Sequence, residues 1–133
     1  MFRRDVLKAA GAIGAAALLT ADTASADRRS TRGPNQSPRV VGPFIETRDG
    51  TQLFYRDWGN GSPLVFLSGW ALTSDCWGYQ MGPLSDSGLR CIAYDRRGHG
   101  RSSDPGRGFD YDSLADDLAA VLDALDLKNV TLV

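Results

Sequence analysis

Residues 89–102 read LRCIAYDRRGHGRS, an apolar run that leads directly into a turn rich in glycine and arginine. Leu89–Tyr94 has the length and composition of a strand that is buried on both faces. Gly98 and Gly100 accept the positive φ angles that the backbone needs where it leaves a sheet. Asp95 can hold the turn by charge-assisted hydrogen bonds with one of three neighbouring arginines: Arg96, Arg97 or Arg101. This stretch therefore predicts a buried strand of an α/β sheet with a tight turn at its carboxyl end.

The flanking segments continue the pattern of short strands and amphipathic helices. Phe44–Arg48 and Thr51–Trp58 surround Asp49-Gly50, a dipeptide that favours a β-hairpin turn. The other expected elements are a strand, a short helix, a long helix and a last strand: Leu64–Leu67, Ser74–Leu84, Tyr111–Leu127 and Val130–Val133. The long helix has its leucines on one face, and Asp110 or Asp112 can cap it. A hairpin followed by strand–helix–strand–helix–strand predicts an α/β fold with right-handed parallel crossovers.

The first 26 residues have the pattern of an export signal. Arg3 and Arg4 precede an apolar stretch, Ala9–Leu19, and small residues at 24–26 provide a cleavage site. This order resembles a bacterial twin-arginine signal. The apolar stretch would span about 16 Å as a helix, about half of a bilayer core, so we expect no stable membrane span. We expect an exported protein, periplasmic or extracellular, with a flexible leader at 27–42 and a folded domain at 43–133.

The composition fits one soluble domain and excludes several kinds of partner. The chain has 133 residues, 42% of them hydrophobic, and a formal net charge of −1. It has no cluster of Lys or Arg in its body that could follow a phosphate backbone, so we expect no nucleic-acid partner. One histidine and two separated cysteines fall short of a metal-ligand set. The cysteines, Cys76 and Cys91, are expected to lie too far apart for a disulfide, so we expect two buried or half-buried thiols. Gly98-x-Gly100 lacks the third glycine of a dinucleotide-binding motif, and we expect neither a metal nor a cofactor.

Three motifs in this order and spacing resemble the N-terminal half of an α/β-hydrolase domain. They are LVFLSGW at 64–70, DRRGHGRS at 95–102 and ADDL at 115–118. The branch that they resemble contains esterases, perhydrolases and cofactor-free haloperoxidases, and the resemblance covers residues 43–133. It implies that the loop after the third family strand supplies a backbone N–H of the oxyanion hole, here that of Trp70, with Gly69 beside it at the substrate. The sequence departs from the family at Ser68, where a histidine is common.

The single histidine, His99, is the obvious candidate for a catalytic base, but the family pattern gives it another role. In this fold the nucleophile follows the fifth strand on a G-x-S-x-G turn, and the acid and the histidine come after it. No G-x-S-x-G occurs in the 133 residues, and the stretch that matches the fifth strand is Asn129–Val133. His99 precedes that strand and is expected to be a turn residue. The triad residues are therefore expected to be absent from this sequence.

Three functions remain open. The first is the N-terminal portion of an exported serine hydrolase that acts on small ester-like substrates and transfers an acyl group to water or peroxide. The second keeps the fold but uses an Asp nucleophile, as epoxide hydrolases and haloalkane dehalogenases do, and residues after Val133 would decide between them. The third is a non-enzymatic truncated product or interaction segment, whose apolar last strand pairs with a complementing chain.

Overall fold

Six strands and two α-helices make up the part of the chain that the computed structural model describes, residues 36–133. The predicted signal and most of the predicted leader lie outside these residues. The elements in chain order are β1 (Arg39–Val41), β2 (Phe44–Glu46), β3 (Gln52–Trp58), β4 (Ser62–Leu67), a 3₁₀ helix (Ser74–Trp77), α1 (Gly78–Asp86), β5 (Leu89–Tyr94), α2 (Tyr111–Ala124) and β6 (Thr131–Leu132).

The strands form one mixed sheet in the order β1-β2-β3-β5-β4-β6. The first three strands and β5 are joined by antiparallel pairing, whereas β4 runs parallel to both β5 and β6. Because parallel strands end at the same edge, the segments that leave β4 and β5 are neighbours at the carboxyl edge of the sheet. This topology confirms the predicted α/β fold and brings together the two loops that the sequence singled out.

The predicted hairpin turn at Asp49-Gly50 is present between β2 and β3. Gly50 has φ +84°, and the Thr47 N–H donates to the Thr51 carbonyl at 2.9 Å. The Asp49 carboxylate accepts the Thr51 N–H at 3.1 Å and the Thr47 hydroxyl at 2.6 Å. The glycine supplies the left-handed residue, and the aspartate holds the turn from inside.

The sheet begins at Arg39, before the expected start of the domain at residue 43. β1 pairs with β2 from Arg39 opposite Glu46 to Val41 opposite Phe44, so all three of its residues lie in the segment predicted as a flexible leader, 27–42. All three β1 residues are exposed. The strand therefore depends on backbone pairing rather than on burial, and it has no apolar alternation by which the sequence could indicate it.

Each face of the sheet is covered by one helix. Alternation along β4 and β5 sends successive side chains to opposite faces, so Val65 and Ile92 face α2 whereas Phe66 and Cys91 face α1. The α2 side contains Ile45, Leu53, Val65, Ile92, Tyr94 and Val121, and the α1 side contains Phe66, Met81, Cys91 and Ala93. The two-sided core explains why both parallel strands read as continuous apolar runs.

The helices differ from their predicted bounds in small ways. Of the two residues predicted as possible caps of α2, Asp110 is the cap in the structure. Its carboxylate accepts the Ser113 N–H at 2.8 Å. α2 ends at Ala124 rather than Leu127, because Asp126 and Asn129 adopt positive φ angles and turn the chain towards β6. Both cysteines are free thiols, but Cys76 is exposed on the 3₁₀ helix instead of half-buried.

Candidate active site at the carboxyl edge of the sheet

The loop after β4 turns sharply around Trp70. The Leu72 N–H donates to the Gly69 carbonyl at 3.2 Å, and Ala71 has φ +62°, a left-handed value that few residues with a Cβ adopt. Within residues 36–133, the Trp70 N–H donates no hydrogen bond. The loop therefore presents a free backbone donor at the end of a parallel strand.

The residues on either side of this donor differ in exposure. Gly69 is exposed, so the backbone can be approached closely there. Ser68 is only 4% exposed, and among the described residues its hydroxyl has no hydrogen-bond partner. The serine that replaces the family histidine thus fits into the loop without anchoring it by a hydrogen bond within the described residues.

The Trp70 side chain packs on the neighbouring turn although it is 68% exposed. Its ring meets the His99 ring edge-on with centroids 4.9 Å apart, and the Phe109 ring at 6.4 Å. Perpendicular aromatic pairs at such separations stabilise each other beyond the area that they bury. The contact joins the loop after β4 to the loop after β5. Sequence analysis did not identify Phe109, which lies in a glycine-rich stretch without periodicity.

His99 lies in the turn after β5, as expected. Its N–H donates to the Arg96 carbonyl at 3.0 Å, and its carbonyl accepts the Ser102 N–H at 3.1 Å. The ring Nδ1 lies 2.9 Å from the Arg97 carbonyl oxygen, which can only accept, so Nδ1 carries the proton in this contact. With one ring nitrogen bound to the backbone and the ring packed against Trp70, His99 is a structural part of the turn.

The Asp95 carboxylate accepts hydrogen bonds from both loops. It is 0% exposed, and its Oδ1 accepts the Ser74 N–H at 2.6 Å. Its Oδ2 accepts the backbone N–H of Arg101 at 2.9 Å and the Arg101 Nε at 3.2 Å. Burial by itself would raise the pKa of Asp95, but the hydrogen bonds from Arg101 and Ser74 hold the pKa below the usual range of an aspartate. The prediction of an arginine partner is confirmed, and the partner is Arg101.

Arg97 binds elsewhere, in a buried ion pair that the sequence analysis did not predict. Its Nε and a terminal nitrogen bind the two Asp117 oxygens at 2.7 and 2.6 Å, and the other terminal nitrogen binds Asp49 at 3.1 Å. The Asp117 hydrogen bonds raise the pKa of Arg97 above its usual range. Burial raises the pKa of Asp117, because the cost of desolvating the carboxylate exceeds what Arg97 returns.

The sequence did contain a signal for this pair. Asp117 lies three residues after Leu114 and four before Val121, and therefore on the apolar face of α2. A carboxylate on the buried face of a helix requires a buried cationic partner. The DRRGHGRS turn, which carries three arginines, is one source of such a partner.

A cavity of about 250 Å³ opens beside the loop. It is lined by the ends of β4 and β5 and by the first half of α2: Leu67, Ser68, Tyr94, Arg96, Tyr111, Leu114, Ala115 and Leu118. Burial raises the pKa of the Tyr94 phenol to about 12, so the phenol is neutral at pH 7. A second cavity, of about 160 Å³, lies between the hairpin turn and α2, away from Trp70.

The described residues contain neither a cluster of metal-ligating side chains nor a helix that could cross a membrane. Residues 36–133 contain no group of three His, Cys, Asp or Glu side chains that could hold a metal ion. Over the same residues, no helix has both the length and the hydropathy that crossing a membrane requires.

Comparison with known proteins identifies relatives for most of this structure. The non-heme chloroperoxidase of Kitasatospora aureofaciens is 52% identical over 91 residues, which are 68% of this chain and 33% of the relative. A bifunctional esterase/perhydrolase of Acinetobacter calcoaceticus is 45% identical over 87 residues, or 64% of this chain and 32% of the relative. A solved esterase from Exiguobacterium antarcticum superposes with a TM-score of 0.66 at 41% identity, covering 69% of this chain and 34% of that one.

The relatives are non-heme haloperoxidases, esterases and perhydrolases, with an epoxide hydrolase among them. The chain spans about a third of the length of the curated relatives that it matches. A family model for the alpha/beta hydrolase fold matches residues 62–133, from the start of β4 to the last residue. The chain thus belongs to the alpha/beta hydrolase fold family.

Proposed function

We propose that this chain supplies the N-terminal part of a serine hydrolase of the esterase or perhydrolase type, which acts on small ester-like substrates. The observation that carries the proposal is the free Trp70 N–H in a closed turn at the carboxyl edge of the sheet. In acyl transfer, a tetrahedral intermediate develops negative charge on the former carbonyl oxygen. A fixed N–H donor about 3 Å from that oxygen stabilises the charge and lowers the barrier.

In this proposal, some residues of the chain contact the substrate and others hold the loop in place. Trp70 donates its backbone N–H to the oxyanion, and Gly69 leaves room for the substrate. His99 transfers no proton, because its Nδ1 is bound to the Arg97 carbonyl and its ring packs on Trp70. The serine nucleophile, the acid and the histidine base come from polypeptide beyond these 133 residues, where the proposal places the G-x-S-x-G turn. Neither a metal nor a cofactor takes part.

The Trp70 donor can be tested by removing the N–H and keeping the fold. In the full-length protein, including any polypeptide that follows Val133, Trp70→Pro deletes the donor, whereas Trp70→Phe alters the side chain and keeps it. We expect Trp70→Pro to lower kcat on a p-nitrophenyl ester by about 10²–10³. Trp70→Phe should retain most of the turnover. Equal activity in the two variants would contradict the proposed role.

A second candidate keeps this fold but changes the nucleophile to Asp, as in epoxide hydrolases. The presence of an epoxide hydrolase among the relatives favours it. Both candidates use a β4 loop of the kind seen here, so the described residues do not separate them. A sulfonyl fluoride distinguishes the two in the full-length protein: it modifies a serine nucleophile covalently and stops ester turnover. Retained activity together with opening of an epoxide would favour the Asp nucleophile.

A third candidate is an interaction segment without activity of its own. β6 lies at the edge of the sheet, and Leu132 and Val133 are each 50% exposed. The Val133 N–H donates to Val65, so by alternation the Leu132 N–H points away from β4. An unpaired apolar edge of this kind invites a further strand, which a complementing chain could provide. Slow exchange of the Leu132 amide only in the presence of such a chain would support this candidate.

We further propose that the protein is exported, and the support is the order of residues 1–26. A fusion of this segment to a folded reporter tests it in a bacterium with a twin-arginine system. The reporter should reach the periplasm, and replacing Arg3 and Arg4 together with lysine should abolish that transport. Accumulation outside the cytoplasm regardless of the arginine pair would contradict the twin-arginine assignment.

A further inference from the structure

The loop that carries Trp70 is attached to the sheet at its far end by Asp95. Four residues after Trp70, the N–H of Ser74 at the start of the 3₁₀ helix donates to Asp95 Oδ1 at 2.6 Å. Asp95 directly follows β5 and is completely buried. The carboxylate therefore connects the end of the Trp70 loop to a strand in the centre of the sheet.

The second attachment runs through the Trp70 side chain to the turn after β5. That turn is wrapped around the same carboxylate, because Asp95 Oδ2 accepts both the backbone N–H and the Nε of Arg101. A Cβ on Gly100 would lie 2.3 Å from Oδ2, so the backbone approaches as closely as a glycine allows. His99 precedes this glycine and meets the Trp70 ring. Displacing the turn would therefore displace the surface on which Trp70 packs.

Arg101 reinforces this arrangement from the side of the 3₁₀ helix. Its terminal nitrogen lies 3.3 Å from the Ser74 hydroxyl and 2.9 Å from Asp75 Oδ1. The guanidinium thus neutralises Asp95 and binds the first two residues of the helix at the same time. Both attachments of the Trp70 loop depend on one buried acid and one arginine.

Building on the proposed role of Trp70, we propose that Asp95 is the positioning residue of the oxyanion loop. It touches no substrate. It fixes Ser74 and the His99 turn relative to β5, and so sets the direction in which the Trp70 N–H points. The role needs a carboxylate: an asparagine side chain has one acceptor oxygen and one NH₂ group, which would face an N–H donor of either Ser74 or Arg101.

Asp95→Asn in the full-length protein tests this by backbone NMR and amide exchange. We expect the amide of Ser74 or of Arg101, whichever faces the new NH₂ group, to exchange at least about tenfold faster, since an amide loses protection when its acceptor is lost. The amide resonance of Trp70 should shift. The amides of Ile92 and Ala93 in β5 should keep their exchange rates, which separates loop release from general destabilisation.

Ser74→Pro tests the same contact from the donor side and decides the matter if Asp95→Asn does not fold. The proline removes the Ser74 N–H together with the hydroxyl that contacts Arg101, and it leaves the carboxylate with the backbone N–H and Nε of Arg101. Thr73 has an extended backbone, φ −116° and ψ 169°, which suits a residue before proline, and Ser74 is the first residue of the helix, where proline is accepted. The Trp70 resonance should move again while the Arg101 amide stays protected. A Trp70 amide that stays in place in every variant that folds overturns the proposal.

Turnover separates this proposal from the function on which it rests. Asp57→Asn is the matched control, because Asp57 also binds an arginine, Arg90, but does so on the surface. With a p-nitrophenyl ester, Asp95→Asn should lower kcat at least about tenfold and change KM within about twofold, and Asp57→Asn should change neither. A displaced Trp70 amide with unchanged kcat would refute the oxyanion role of Trp70, whereas an undisplaced amide would refute the role of Asp95.

Discussion

Two buried aspartates in this molecule are held by arginines of the same turn, and their surroundings give them different energetic roles. Asp95 receives two backbone N–H groups as well as Arg101, so its charge is stabilised by peptide dipoles that need no side-chain ordering. Asp117 depends on Arg97 for both of its oxygens. Loss of Asp117 or Arg97 therefore leaves the other as a poorly compensated buried charge, whereas Asp95 would keep its backbone donors if Arg101 lost its side chain.

Asp117→Asn should destabilise the protein strongly. The side chains of Asp117 and Arg97 are 2% and 4% exposed, so the neutral amide leaves a guanidinium in the interior with only Asp49 to balance it. Breaking a buried pair from one side costs about 3–5 kcal/mol. Urea unfolding followed by circular dichroism measures the change in the free energy of unfolding.

The control for Asp117→Asn is a pair of similar geometry on the surface. Asp57 accepts three hydrogen bonds from Arg90, but both side chains are partly exposed, and such pairs contribute about 0–1 kcal/mol. Asp57→Asn should therefore have little effect. Equal losses in the two variants would mean that burial does not determine the contribution of these ion pairs.

The pH dependence of stability should report on Asp95. Its pKa is lower in the folded protein than the usual value of 3.8, so the folded state favours the charged form. The resulting stability is fully present above the unfolded-state pKa of about 3.9 and is lost as the pH falls through the folded-state pKa. The difference in unfolding free energy between the protein and Asp95→Asn should be constant from neutral pH to about pH 5 and shrink below about pH 4.

Guanidinium chloride unfolding at a series of pH values measures that difference. Asp57→Asn again serves as the reference for a carboxylate on the surface. A difference for Asp95→Asn that grows as the pH falls would contradict a lowered pKa for Asp95.

Residue roles were predicted from the sequence only where the family motif or a local rule determined them. The His99 turn and the loop at Trp70 followed from the family motifs, and the capping rule for α2 left Asp110 and Asp112 as alternatives, of which the structure shows Asp110. The partner of Asp95 had three candidates, and only the fold separates Arg101 from Arg97. Helix periodicity places Asp117 on the buried face of α2, but its partner Arg97 lies 20 residues away in another part of the chain, so no local pattern specifies which arginine binds it.

At the scale of elements, the sheet was predictable where it is buried and not where it is exposed. β4 and β5 have apolar runs because both faces are covered, and the predicted β5 has the observed bounds. All three residues of β1 are exposed, and the strand lacks the apolar alternation that would have indicated it in the sequence. The end of α2 depends on two left-handed residues, Asp126 and Asn129, that helix periodicity does not indicate.

We expect one residue to provide most of the contribution of α1 to the free energy of unfolding. Met81 is the buried residue of that helix and packs against Phe66 and Cys91, whereas Tyr79 on the same helix is 94% exposed. Met81→Ala should cost about 2–5 kcal/mol, because it removes buried side-chain contacts and leaves a cavity. Tyr79→Ala should change stability within about 0.5 kcal/mol. Urea midpoints of the two variants compare them directly, and a comparable loss for Tyr79→Ala would place the helix's main contact elsewhere.

At the scale of the whole molecule, the described residues place the proposed oxyanion donor and the turn that supports it at one edge of the sheet. They include neither the proposed nucleophile nor the proposed base. The carboxyl ends of β4, β5 and β6 meet at one edge, with the Trp70 loop, the Asp95 turn and the chain at Val133 side by side. The Val133 carbonyl accepts the Leu67 N–H at 2.9 Å, so residue 133 lies against the start of the Trp70 loop. A nucleophile supplied directly after β6 would therefore enter the site next to the proposed oxyanion donor.

This arrangement leads to a prediction for residues 27–133 alone. They contain the proposed oxyanion donor but no G-x-S-x-G sequence, and their one histidine is bound within a turn. An oxyanion hole without a nucleophile and a base leaves only a small part of the acceleration of a complete site. We expect the purified segment to be poorly soluble because of the exposed β6 edge, and to hydrolyse p-nitrophenyl esters no faster than the Trp70→Pro segment prepared in the same way. Reproducible turnover that Trp70→Pro abolishes would mean that these residues hold a nucleophile of their own, and Ser68, buried beside Trp70 with no partner for its hydroxyl among the described residues, would be the first to replace.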